Sequence, residues 1–201
     1  MCKRVTADQF ISAFRKEWKK TGAELHNIFD RGSSRTKFML EGDDPFLGRV
    51  CEEVSSEINQ KLVLDTEWYR WDGVYYVDID RSNLFHYGYF PATIDVAIEH
   101  ENGKNVEQEM YKMLMLIRCP LKVLIFYDHG AIWLGTKVAE LMNMGRKVEL
   151  EWPEAENTEY LFLVGRRADE GNVPYWRSLV VESGEFRKYC NRETDHLFEP
   201  V

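Results

Sequence analysis

Between Arg70 and Glu101 the chain reads RWDGVYYVDIDRSNLFHYGYFPATIDVAIEHE, and this stretch restricts the fold more than any other. Two runs rich in β-branched and aromatic residues, VYYVDID and TIDVAIEHE, flank a connection rich in Ser, Asn, Gly and Pro, which is the pattern of an antiparallel strand pair. A pairing in which Asp80 and Thr93 flank the connection sets Asp72 opposite Glu101 and one pleat from Glu99, with Asp78 and Asp80 at the far end. Side chains alternate along a strand, so Glu99 and Glu101 share one face and the imidazole of His100 takes the other, toward the core. Three carboxylates thus converge at one end of one hairpin, with Arg70 their only basic neighbour in sequence. Such a cluster is electrostatically costly unless a divalent cation sits in it. A rival reading stays open: Asp-Gly is among the commonest turn pairs, and Asp72 taken alone is a turn residue.

The flanking elements follow from periodicity and punctuation. Thr6 with Gln9 forms a capping-box pattern ahead of Phe10, Phe14 and Trp18, a helix that Gly22 can end, with Arg15, Lys16, Lys19 and Lys20 on its solvated face. NIFDRGSSRTK, residues 27–37, reads as a loop. Pro45, after Asp43 or Asp44 as cap, opens a helix to about Gln60 whose buried stripe is Phe46, Val50, Val54 and Ile58, with Glu57 falling on that stripe. LVLDTEWYRW is strand-like. Beyond Glu101, Asn105 and Gln108 cap a helix with Met110, Leu114 and Ile117 inward and Pro120 as its stop, and LKVLIFYD is a buried strand laid parallel to Thr93–Glu101. IWLGTKVAELMNMG is a further helix ended by Gly145, VELEW a short strand, and EYLFLVGRR with YWRSLVVESGEF a hairpin. Arg166, Arg167 and Arg177, with Tyr175 and Trp176 between, form either an aromatic-basic rim that stacks bases and pairs phosphates or a solvated hairpin tip.

An Asp at the start of one strand, a Glu-x-Glu (Glu99, His100, Glu101) at the end of the next and an amphipathic helix after it resemble the PD-(D/E)XK nuclease superfamily, the restriction-endonuclease-like fold. The resemblance covers residues 44–128. It implies an α/β fold with a mixed central sheet flanked by helices, a core ordered helix, three strands, helix, strand, and an added C-terminal helix and hairpin. Trp71 stands where the family often has proline, and Glu101 replaces the usual lysine, as in the restriction endonucleases that carry Glu-x-Glu. By resemblance, Asp72 and Glu99 coordinate Mg²⁺ or Mn²⁺, Glu57 is a further metal-site glutamate on the first core helix, and the backbone carbonyl of His100 is another ligand. Glu101 then orients or deprotonates the attacking water, and the activity implied is phosphodiester hydrolysis on nucleic acid. Lys112, on the following helix, is a candidate stand-in for the missing lysine. Without that lysine a second outcome is a catalytically inactive nuclease fold that binds protein, as an immunity or antitoxin-like module does.

Composition bounds these readings. With 201 residues, 44% of them hydrophobic, the chain suffices for one well-buried core and reads as a single domain: residues 1–43 an N-terminal helix and loop, 44–128 the nuclease-like core, 129–201 its extension. A formal charge of −8 argues against broad attraction to phosphate backbones, leaving local basic groups and bound metal to oppose it, and it suits a module that answers a basic protein. A third reading is a metal-free domain whose acidic hairpin end is simply solvated. Cys2, Cys51, Cys119 and Cys190 lack any Cys-x-x-Cys, so neither a zinc site nor a disulfide framework is indicated. No apolar run reaches the ~18 residues of a membrane span, and MCKRVTADQF lacks the apolar centre of a signal peptide, so the expectation is a reduced, cytoplasmic protein.

Overall fold

The computed structural model describes residues 4–21, 32–67, 71–77, 94–115, 117–151, 158–166, 176–182, 184–186 and 199–201. The chain runs α1 (Ala7–Thr21), α2 (Gly32–Leu40), α3 (Phe46–Ile58), β1 (Leu62–Thr66), β2 (Gly73–Val77), β3 (Val96–Glu101), α4 (Val106–Met115), β4 (Leu121–Asp128), α5 (Ala131–Glu151), β5 (Glu159–Arg166), β6 (Trp176–Glu182) and β7 (Glu199–Pro200). All seven strands form one mixed sheet in sequence order. The pairs β1–β2, β2–β3, β5–β6 and β6–β7 are antiparallel. The pairs β3–β4 and β4–β5 are parallel, and each needs a helical crossover, supplied by α4 and α5.

The period-two alternation of the strands sends side chains into two separate cores. On one face Val96, Ile98, Val123 and Ile125 pack with Phe10 and Phe14 of α1, Met39 of α2 and Val50 and Val54 of α3. On the other, Ala97, Leu124, Phe126 and Phe162 pack with Met110 and Met113 of α4 and Val138 and Leu141 of α5. The expected helix, three strands, helix, strand order is present as α3, β1, β2, β3, α4 and β4. Among the described residues no helix is long and apolar enough to cross a membrane.

The first helix forms as its sequence dictates. Gln9 N–H donates to Thr6 Oγ1 at 3.3 Å while Thr6 N–H donates to Gln9 Oε1 at 3.0 Å, the reciprocal bonds of a capping box. Its basic face is not merely solvated: Lys16 and Lys20 both pair with Glu53 of α3, and Lys20 also with the buried Glu17. At α3 the cap differs from expectation, because Pro45 itself holds the N-cap position (φ −67°, ψ 151°) and makes no side-chain cap bond.

Two elements depart from the sequence reading. The stretch expected to be a loop over residues 27–37 includes the start of α2, which the apolar pattern alone could not reveal because one of its inward residues is the buried Arg35, four before Met39. The helix expected to end at Gly145, with a strand after it, continues as α5 to Glu151. Gly145 is a point of close approach: a Cβ there would lie 2.5 Å from Cδ1 of Phe186, so the ring packs where a side chain would stand.

Candidate functional site

The β2–β3 ladder pairs Gly73 with Ile98 and Val74 with Ala97. Extended by one residue, this register sets Asp72 beside Glu99, whereas the sequence expectation set it opposite Glu101. The displacement is two residues, and because side-chain facing has period two the carboxylates keep the same face of the sheet. Asp72 is not the tip of the β1–β2 turn. Its carbonyl accepts from Glu67 N–H at 3.2 Å, its carboxylate Oδ2 accepts from the backbone N–H of His100 at 2.7 Å, and residues 68–70 lie outside the described residues.

Glu99 follows Ala97 onto the face covered by α4 and is only 1% exposed. Over it lies the ammonium of Lys112, with Nζ 3.0 Å from Glu99 Oε1 and also paired with Glu109 one helical turn earlier. The Lys112 contact with Glu99 is within ion-pair distance but lacks hydrogen-bond direction, and Glu99 Oε1 and Glu109 Oε2 are buried oxygens that accept no hydrogen bond. Burial first, then a hydrogen bond with Glu109 and the charges of Asp72 and Glu109, push the Glu99 carboxyl up to about 9, with Lys112 opposing. Burial also raises Asp72, with the charges of Glu109 and Glu101 adding and the His100 N–H and Lys112 opposing. Lys112 is raised in turn: burial works against its charge, and Glu109 and Glu99 outweigh it. The two partners make opposite demands, since a Glu99 held near neutral is a poor anchor for an ammonium. The positive charge belongs on Lys112 in either case, because Glu109 holds it independently of Glu99. Lys112 is therefore part of the site, and Glu109 is the residue sequence reading missed. Its signal was present, since Glu109 and Lys112 flank the inward Met110 and Met113 and so border the face that covers β3.

The remaining candidates are distributed. Glu101, half-buried, accepts a hydrogen bond from Gly103 N–H through Oε1, and the Gly103 carbonyl is 3.2 Å from Nε2 of His129. Glu57 does not join the cluster. The buried positions of α3 are Phe46, Leu47, Val50, Cys51, Val54 and Ile58, so the stripe is rotated away from Glu57, which is exposed on a helix covering the opposite face of the sheet. The His100 imidazole points into that opposite core, as its strand phase requires, with Nε2 2.9 Å from the Tyr127 hydroxyl. Arg177, half-buried, lies in one cross-sheet row with Val164, Phe126 and Glu101, about 14 Å from Glu101 at the usual spacing between strands. Arg166 ends β5 opposite Asp128, while Arg167 and Tyr175 lie outside the described residues. Cys51 and Cys119 are buried free thiols, and burial raises Cys51 to about 12, which leaves it inert.

Among the described residues no three His, Cys, Asp or Glu side chains stand so as to hold one metal ion, so the expected convergence of Asp72, Glu99 and Glu101 on one cation is absent. The narrower pair remains. Asp72 and Glu99 offer hard oxygen donors side by side, and a buried Glu99 oxygen without a hydrogen bond fits a divalent ion once Lys112 Nζ yields its place. A pocket of about 480 Å³ borders Lys112 and Glu109, lined also by Glu107, Gln108 and Tyr111 of α4 and Met144 of α5. No protein-family model and no curated protein sequence matches the chain.

Proposed function

We propose that this chain is a metal-dependent phosphodiesterase acting on nucleic acid, built on a restriction-endonuclease-like core. The observation that carries the reading is that Asp72, just before β2, accepts from the N–H of His100, the neighbour of the buried Glu99, while the ammonium of Lys112 lies 3.0 Å from Glu99. Mg²⁺ is commonly held by one or two carboxylates, with waters and substrate phosphate completing its octahedron, so Asp72 and Glu99 are a sufficient protein share. The ion, when bound, supplies an acidified water and charge stabilisation at the phosphoryl and leaving oxygens. The chain's own residues do the positioning. The His100 N–H fixes one oxygen of Asp72, and the cover of α4 holds Glu99 in a buried position beside it. Arg177, in line with Glu101 on the same face, is a phosphate contact for the flanking strand.

The test is cleavage of single- and double-stranded DNA and RNA by the full chain with Mg²⁺ or Mn²⁺. Asp72→Asn and Glu99→Gln each remove an anionic donor at nearly constant volume, so both should lower the rate by about a thousandfold or more, the several kcal/mol such an ion contributes. Cleavage undiminished in Asp72→Asn would refute the assignment. The net charge of −8 favours one other reading, a binding module for a basic protein. Absence of cleavage with either metal, together with a tight complex with such a partner, would select it.

A further inference from the structure

We infer that Lys112 is an exchangeable counter-ion: its ammonium occupies the cation position at Glu99 in the metal-free chain, and a divalent ion enters only as Lys112 swings out into the neighbouring α4–α5 pocket. This rests on the phosphodiesterase reading of the same site. Three observations support it independently of that chemistry. Lys112 Nζ lies 3.0 Å from the buried Glu99 Oε1, so the ammonium stands where a cation would meet that oxygen. The same side chain lines the wall of a pocket of about 480 Å³, so a second position is open to it with no movement of the helix. That pocket is bordered by Glu107 and Glu109, carboxylates that receive an ammonium leaving Glu99, and Glu109 touches Lys112 already. A long flexible stem makes lysine suited to such exchange, where a planar guanidinium would lock on the carboxylate. The consequence is regulatory. The ion's apparent affinity is reduced by the fraction of molecules whose lysine is still in place.

The experiment is calorimetric titration of the full chain with Mn²⁺ alone, for wild type, Lys112→Met and Lys112→Arg, with melting curves to verify that each variant is folded. Lys112→Met should bind Mn²⁺ about tenfold more tightly than wild type, as for an open state populated at roughly one part in ten, and Lys112→Arg should bind no more tightly than wild type. A second readout separates exchange from simple removal of a repelling charge: acetylation of Lys112 in the wild-type chain, followed by mass spectrometry, should rise severalfold when Mg²⁺ is present. Binding of Mn²⁺ by wild type with no gain in Lys112→Met, or a gain without any rise in Lys112 acetylation, overturns the exchange and leaves the phosphodiesterase reading standing. Failure of both wild type and Glu99→Gln to bind Mn²⁺, with Lys112→Met equally silent, overturns both.

Discussion

Replacing His100 with Gln is expected to change how stability depends on pH while keeping a polar partner for Tyr127. His100 is 6% exposed, and its Nε2 is 2.9 Å from the Tyr127 hydroxyl. The Arg35 guanidinium lies 4.3 Å from the centre of the Tyr127 ring. Burial, and secondarily the charge of Arg35, lower the imidazole from 6.5 to about 3, so the folded chain holds it neutral. Between those values the unfolded chain binds a proton that the folded chain does not. The contribution is therefore fully present above pH 6.5 and is lost as pH falls through the window. At about 1.4 kcal/mol per pH unit, roughly 3 kcal/mol is gone by pH 4, of a limit near 5 kcal/mol. Urea unfolding of wild type and His100→Gln from pH 7 to pH 4, in chelator, measures it. The variant should be less stable by ~1 kcal/mol at pH 7, through imperfect repacking and a weakened Tyr127 bond, and the order should reverse by pH 4. Carboxylates common to both proteins cancel in the difference. A stability difference constant within ~0.5 kcal/mol across this range would mean the imidazole is not sealed from water, and the division of His100 into a backbone serving Asp72 and a ring serving the opposite core would be wrong.

Gly145→Ala should destabilise the fold by ~1–3 kcal/mol despite alanine's higher helix propensity, because the added Cβ meets the Phe186 ring at 2.5 Å; a raised melting temperature would refute that packing. Glu101→Lys, which puts at position 101 the lysine of the nuclease pattern the sequence resembles, should keep the proposed metal-dependent cleavage and cost ~0.5–1.5 kcal/mol, because the Glu101 carboxylate serves the Gly103 N–H; loss of cleavage by a folded variant would put Glu101 in the reaction.

What could be read from the chain was what depends on short-range period and on caps. The alternation of VAIEHE fixed which side chains face together, and that outcome survived a wrong register because the slip was an even number of residues. The Thr6–Gln9 pair marked the start of α1 because its bonds lie within one turn. Register itself turned on where β2 and β3 end, at Val77 and Val96, and a Gly- and Pro-containing connection between them carries no signal for that. The apolar residues Phe46, Val50, Val54 and Ile58 alone place Glu57 on the buried stripe of α3, whereas Leu47 and Cys51 turn that stripe away from it. A helix-ending glycine and one that admits an aromatic ring, as Gly145 does, look alike without the partner, Phe186, some forty residues later. Glu109 is illegible for a similar reason. An acidic residue on a helix is ordinary until another element brings a buried carboxylate beneath it.

A glutamate at position 101, where the nuclease pattern the sequence resembles has lysine, does not leave Glu99 without a cation. Positions 99 and 101 project to one face of β3, and α4, which begins five residues after Glu101, lies across that same face. A lysine two turns into α4 therefore reaches Glu99 from above, where a lysine at position 101 would reach it from beside. The two routes are not equivalent. A strand lysine is held by the sheet, whereas Lys112 stands on a helix surface at the edge of an open pocket and can leave. At the same time Glu101 is turned to the Gly103 N–H, so the extra negative charge is not spent against Glu99. The arrangement adds up to a carboxylate pair with one mobile positive charge, and the measurable sign of that mobility is a metal affinity that rises when the charge is removed.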